Sequence, residues 1–237
     1  MPGKFRFRWI PFLAAVIGAA IGIALGQWQT RRALEKEVIE EKLVTRASAP
    51  AVGLQVVNRP IDEIEYRQLA VRGEFIGDWT VYLDNRPYKG VPGFYVMTPL
   101  KLAGSGMHVL VARGWAKRDV ADRSRLPSAQ LPGGTVEIQG LVRRSPGHVL
   151  QLGKPERLHP GAIVQNIDIA EFAQSAGLQM QPFIIEQTSD TQDGLVRDWP
   201  RPSTGAEKHR GYAFQWYALA ATALIFFVVT GFRRGTS

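Results

Sequence analysis

Hydrophobic positions in this chain gather at its two ends and alternate with polar ones in between. Trp9 to Thr30 carries no charged residue, and neither does Gly211 to Phe232. Wound as α-helices at about 1.5 Å per residue, each run covers roughly 33 Å, enough for a hydrocarbon core of about 30 Å. The pattern predicts a transmembrane helix at 9–30 and a second at 209–232, with tails at 1–8 and 233–237. Residues 31–208 are then one extramembrane domain of ordinary size.

Beyond the first span the helix is expected to continue, with Leu34, Val38 and Ile39 on one side and Glu35, Glu37, Glu40 and Glu41 supplying polar surface. Ala47 to Asn58 reads as a connector. Strands are predicted at Tyr66–Phe75, Trp79–Leu83, Gly93–Leu100, Met107–Trp115, Thr135–Val142, Ala162–Ile167 and Pro182–Gln187. Ser145 to Pro160 is rich in Gly and Pro, as a loop or short hairpin would be. Asp168 is placed to cap a helix over Ile169–Ala176, with Gly177 to end it. Short strands, tight turns and few helices predict a mainly β (α+β) domain, antiparallel and barrel- or sandwich-like, held by a two-helix transmembrane hairpin.

Pro200 and Pro202 stiffen the approach to the second span. Thr204 and Glu207 have capping-box spacing, so the helix is expected to start before His209. His209, Tyr212, Ala213, Trp216 and Ala220 would then share one side. In the first span Gly18, Gly22 and Gly26 recur every four residues, which suits close packing inside the hairpin or against a partner's helix.

Composition narrows the chemistry. The basic front resembles a signal peptide, but the apolar run outlasts a typical h-region and charged helical sequence follows it, so a retained anchor is expected. Lys4, Arg6, Arg8, Arg233 and Arg234 on the tails face Arg31, Arg32, Lys208 and Arg210 at the domain-side ends. Long loops translocate largely regardless of charge, so the short basic tails decide: both termini are expected on the cytoplasmic side and the domain outside. The chain has no cysteine, which removes disulfides, thiolate metal sites and C-x-x-C-H haem attachment. The net charge of +8 is scattered, without the basic stripe or module that nucleic-acid binding needs. Attraction to anionic lipid is the simpler account.

His209 at the mouth of the second span is the leading candidate for chemistry. A neutral imidazole nitrogen is a common iron ligand, yet an interfacial His can equally bond a headgroup or a backbone carbonyl. Trp28, Arg31 and Arg32 lie at the same boundary. The arginines suit carboxylate recognition or plain snorkelling, and Trp28 suits an aromatic belt. His108, His148 and His159 lack metal-ligand spacing and read as exposed loop residues. No nucleophile elbow or other catalytic constellation stands out, so an enzyme is not expected.

Several segments carry a resemblance. Leu25-Gly26-Gln27-Trp28-Gln29-Thr30-Arg31-Arg32, Glu65-Tyr66-Arg67 with Gly73-Glu74-Phe75, Gly93 to Leu100, and Val111-Ala112-Arg113-Gly114-Trp115 occur in order. His209-x-x-Tyr212-Ala213-x-Gln215-Trp216 completes the series. Together they resemble the SURF1/Shy1 family of haem–copper terminal oxidase assembly factors, over nearly the whole chain. The resemblance implies a bacterial inner-membrane protein that takes haem a transiently and aids its insertion into, or stabilisation in, subunit I of an aa3-type oxidase. Haem a synthase is a further partner it implies. It places the haem iron on His209, and Tyr212, Trp216, Trp28, Arg31 and Arg32, by their position at the same boundary, are the expected cofactor-binding residues around it. Glu207 and Arg210 depart from the family's usual Asn and Leu. Arg113 and Trp115 match a family motif but are expected to be structural. The alternative is a scaffold that holds an oxidase assembly intermediate without binding haem.

Overall fold

The computed structural model describes residues 7–53, 60–122, 125–127, 130–151, 156–200 and 204–233. Lys4, Arg6, Pro202 and Arg234, and part of the expected connector and of the 145–160 loop, lie outside these residues. The chain divides into two compact units, 1–43 with 202–237, and 44–201.

The second unit is built on seven strands: β1 (Gln68–Phe75), β2 (Val81–Leu83), β3 (Gly93–Leu102), β4 (His108–Lys117), β5 (Thr135–Arg143), β6 (Ile163–Val164) and β7 (Met180–Gln187). Their order is β1-β5-β7-β4-β3-β2-β6, and β1 also pairs with β3. That pairing closes β1, β5, β7, β4 and β3 into a ring, leaving β2 and β6 as an extension from β3. Pairing is antiparallel except for β4–β7 and β2–β6, which are parallel. Closure is tight at Gly73, where a Cβ would stand 2.2 Å from the Lys101 carbonyl oxygen. Any side chain there would hold β1 and β3 apart.

Alternation along the strands puts two apolar sets on opposite faces. Leu69, Val71, Phe75, Leu100, Leu102, Val109, Val111, Ile138, Val142, Phe183 and Ile185 form one buried cluster drawn from all five ring strands, the barrel interior. Met97, Leu110, Ala112 and Ile184 face outward and are covered by β2, β6 and a short helix. That helix (Ile169–Ala176) begins where the Asp168 side chain accepts from the Glu171 N–H at 2.9 Å, and ends at Gly177 with φ 67°. Its Phe172 is fully buried, which contributes about 1.5–3 kcal/mol.

The observed elements differ from the expected ones at their ends. Trp79 belongs to a 3-10 turn (Gly77–Trp79), so β2 starts at Val81. Tyr66 has φ 65° and precedes β1, following a one-turn helix (Ile61–Ile64) that the pattern does not predict. The expected strand at Ala162–Ile167 shrinks to two residues. His108 is not the exposed loop residue expected. It opens β4, is buried, and its Nδ1 lies 3.2 Å from the Gln179 carbonyl oxygen. His148 and His159 are exposed.

The β4 register skips Arg113 between Val96↔Gly114 and Met97↔Ala112. Arg113 is fully buried and paired with Asp193 at 2.9 Å, and Asp193 also meets Arg197 at 2.7 Å. Trp115 Nε1 donates to the Arg86 carbonyl at 2.7 Å. Both residues are architectural, as expected.

Candidate functional site

The first unit holds α4 (Ala206–Arg233) and all but the last turn of α1 (Trp9–Ser48), counting Ile61–Ile64 as α2 and Ile169–Ala176 as α3. Both are long and apolar enough to cross a membrane. α1 runs unbroken well past its uncharged stretch, as its pattern predicts. The helices are antiparallel, because contacts that advance along α1 retreat along α4: Phe12 meets Phe227, Gly22 meets Ala220, and Gly26 meets Tyr217.

Small residues make this approach possible. The buried stripe of α1 is Ala15, Ala19, Gly22, Gly26, Gln29 and Ala33. A Cβ on Gly22 would lie 2.9 Å from Ala220 Cβ and 3.0 Å from the Trp216 carbonyl oxygen. One on Gly26 would lie 2.6 Å from the Tyr217 ring. Gly18 is outside the close contact, its nearest neighbour being Ala223 at 4.0 Å. The small-residue repeat is thus used for packing inside the pair at Gly22 and Gly26.

The same stripe carries Gln29 to the end of the apolar stretch. There Gln29 Oε1 meets His209 Nδ1 at 2.6 Å. Gln29 is buried and His209 half-buried. On an ideal helix Trp216 lies about 20° from His209, on the packed side, while Tyr212 is displaced by about 60°. Trp216 is half-buried and Tyr212 is 53% exposed.

Trp28, Arg31 and Arg32 share the depth of Gln29 but not its direction. At about 100° per residue they point roughly 100°, 160° and 60° away from it. Trp28 and Arg31 are exposed, and Arg32 is tied to Glu35 at 2.8 Å within α1. Leu34, Val38 and Ile39 also lie outside the packed stripe, each at least half exposed. Of the family-motif residues, the geometry brings His209 and Gln29 into contact, with Trp216 two turns further along the same side of α4. Gln29 belongs to the quoted W-Q motif and lies three residues after Gly26 on the buried stripe, whose alternating spacing of four and three is the signal that picks it out.

The expected capping box does not form. α4 starts at Ala206, after Gly205 at φ 74°. The Thr204 hydroxyl instead donates to the Lys36 carbonyl oxygen at 3.0 Å and lies 3.3 Å from Glu40 Oε2. Arg210 Nε pairs with Glu37 at 2.6 Å. Polar groups therefore fasten the helix pair about one turn before His209, at Thr204, and at the residue immediately after it, Arg210.

A family model described as the SURF1 family matches residues 16–221. The chain belongs to the SURF1 family. The match takes in the buried stripe of α1 from Ala19 onward, the whole β-unit, and His209 with the first half of α4. A SURF1-like protein of Rickettsia felis is 25% identical over 92% of this chain and 95% of the relative. One of Drosophila melanogaster is 26% identical over 91% and 75%. Surfeit locus protein 1 of Homo sapiens is 28% identical over 97% and 78%. The SURF1 family is one of oxidase assembly factors, not of enzymes.

Proposed function

We propose that this SURF1-family chain assists assembly of an aa3-type haem–copper oxidase by holding haem a as transient cargo at His209, for insertion into or stabilisation in subunit I. The observation that carries the reading is the His209–Gln29 pair at the outer end of an antiparallel helix pair. One ring nitrogen is engaged by a buried amide, and the other makes no hydrogen bond among the described residues. An imidazole so held fits an iron ligand, and a farnesylated porphyrin fits the apolar helix surface beside it. Trp216 and Tyr212 supply aromatic surface, and Arg32 is the nearer of the two arginines for a propionate. Such cargo supplies an open iron position, and the chain's own part is to orient the imidazole and bury apolar surface. The domain is read as periplasmic, in the bacterial inner membrane, with haem a synthase a candidate donor.

Co-expression with haem a synthesis, purification and absorption spectroscopy test this reading. The wild-type chain should carry haem a and His209→Ala should lose most of it, as expected when an axial ligand is removed. Equal haem in both would remove His209 from the site. A second reading is favoured by Leu34, Val38 and Ile39, exposed on α1 beyond the apolar stretch. They suit a scaffold that holds an assembly intermediate without haem. A colourless protein that co-purifies with subunit I would select it.

A further inference from the structure

We infer that Gln29 is a positioning residue that fixes the tautomer of His209, holding the proton on Nδ1 and leaving the Nε2 lone pair as the atom offered to a metal. The inference rests on the proposed cargo reading for its purpose, but its geometry stands alone. The Gln29 amide oxygen lies 2.6 Å from Nδ1. With the Gln29 amide turned this way its oxygen accepts, so Nδ1 is the donor and a neutral ring has its free lone pair on Nε2. Free neutral imidazole side chains favour the opposite arrangement, so the contact selects the minor form.

Gln29 is itself constrained. It is 9% exposed and sits between Gly26 and Ala33 on the stripe where α1 meets α4. Gly26 lets the Tyr217 ring lie directly on the backbone one turn earlier, and the Thr30 hydroxyl donates to the Gly26 carbonyl at 2.9 Å. On the His209 side, the Arg210–Glu37 pair ties the next residue of α4 back to α1. The amide therefore reaches Nδ1 from a fixed backbone.

Ligating histidines commonly give their second N–H to an acceptor, and losing that acceptor lowers metal affinity about 10–100-fold. The acceptor here is a neutral amide, not a carboxylate. It orients the ring without pulling the proton towards an imidazolate, which suits a ligand that has to let its cargo go. This gives the glutamine of the W-Q segment a chemical task, separate from the neighbouring Trp28.

The test uses the full chain in lipid nanodiscs, without haem, labelled with 15N-histidine and with the rings neutral. Only four histidines are present, and His209→Ala identifies the signals of His209. In the wild type His209 should be protonated at Nδ1. In Gln29→Leu it should revert to the Nε2-protonated form, and Gln29→Glu, which keeps an acceptor at the same reach, should restore the Nδ1 form. Unchanged spectra for the other three rings show that the fold is intact. A wild-type ring protonated at Nε2, or a Gln29→Leu ring unchanged from wild type, overturns the inference. Titration with haem a is the second arm: Gln29→Leu should bind about 10–100-fold more weakly than wild type, and Gln29→Glu should recover most of that loss. Equal binding by Gln29→Leu and wild type also overturns it. If the wild type binds no haem a while the tautomer responds as stated, the cargo reading fails and the positioning role stands.

Discussion

Glu186 and Asp193 are carboxylates buried in opposite circumstances. Glu186 follows Ile184 by two residues on β7, outside the barrel, and its Oε2 has no hydrogen-bond partner. Burial pushes its carboxyl up to about 7, and Arg143, 3.7 Å away, only partly opposes this. The folded value lies above the ordinary 4.5. The neutral form therefore favours the fold: the contribution is complete below the ordinary value and is lost as pH rises through about 7. Thermal unfolding of the full chain should show wild-type stability falling between about pH 5 and pH 8 by an amount on the order of 3 kcal/mol, with Glu186→Gln nearly flat. An identical pH response in both would exclude Glu186 as the cause.

For Asp193, burial alone would raise the carboxyl. The Arg197 guanidinium, the Leu195 N–H and the Thr191 hydroxyl outweigh it and hold the group below the ordinary range. Asp193→Asn would leave Arg113 buried beside an amide. It should destabilise the chain by about 3–5 kcal/mol in denaturant titrations. A loss under about 1 kcal/mol would mean that Arg113 finds another partner.

The sequence marks Arg113 and Trp115 by motif and His209 by position. Neither Asp193 nor Glu186 stands out, because burial of a carboxylate depends on which strands close over it. Likewise Trp28, Arg31 and Arg32 are the conspicuous chemical groups near His209, yet the residue in contact is Gln29. Side-chain type draws attention to the first three, and helix phase decides in favour of the fourth.

Among the elements, the α1–α4 pair depends on how much each contact can give. At Gly22 an added methyl meets the Trp216 backbone as well as Ala220, and backbone cannot swing aside. At Gly26 it meets the Tyr217 ring, a 40% exposed side chain that can yield where backbone cannot. Gly22→Ala should therefore disrupt pairing more than Gly26→Ala, by about 1–3 kcal/mol of overpacking cost. The absence of native cysteine gives a direct measurement. Gly18→Cys with Ala223→Cys places the Cβ atoms about 4.0 Å apart, within the range of a disulfide. Cross-linking should be efficient in the parent and reduced by Gly22→Ala. Equal yields with Gly22→Ala and Gly26→Ala would contradict the ranking.

Local rules served where the partner groups are close in sequence. The α3 helix begins and ends where Asp168 and Gly177 predict, because cap and capped amide are three residues apart. Asp168→Ala should cost about 1 kcal/mol. Thr204 shows the limit of the same rule. Its hydroxyl has a local amide to cap, but the Lys36 carbonyl and Glu40, far away in sequence, capture it.

At the level of the whole molecule, the three apolar clusters of the β-unit draw only on residues between Val52 and Trp199. A fragment of residues 44–201 should accordingly unfold in one cooperative transition without the helices, as a closed core of this kind does. A broad, non-cooperative melt would show that the unit needs α1 or α4 to fold.

Charge-free length determined the two membrane-competent helices, and alternation with turn residues determined the strands and the mainly β class, because both follow from periods of a few residues. Family membership was also legible, through motifs that survive as short words. The tertiary structure alone decided the rest: β1 closing on β3, β7 lying parallel to β4, the burial of Glu186 and Asp193, and the pairing of Gln29 with His209. Each of these joins groups distant in the chain. No local pattern encodes the phase at which two such groups meet, since the meeting is set by packing across the whole ring or along the whole helix pair.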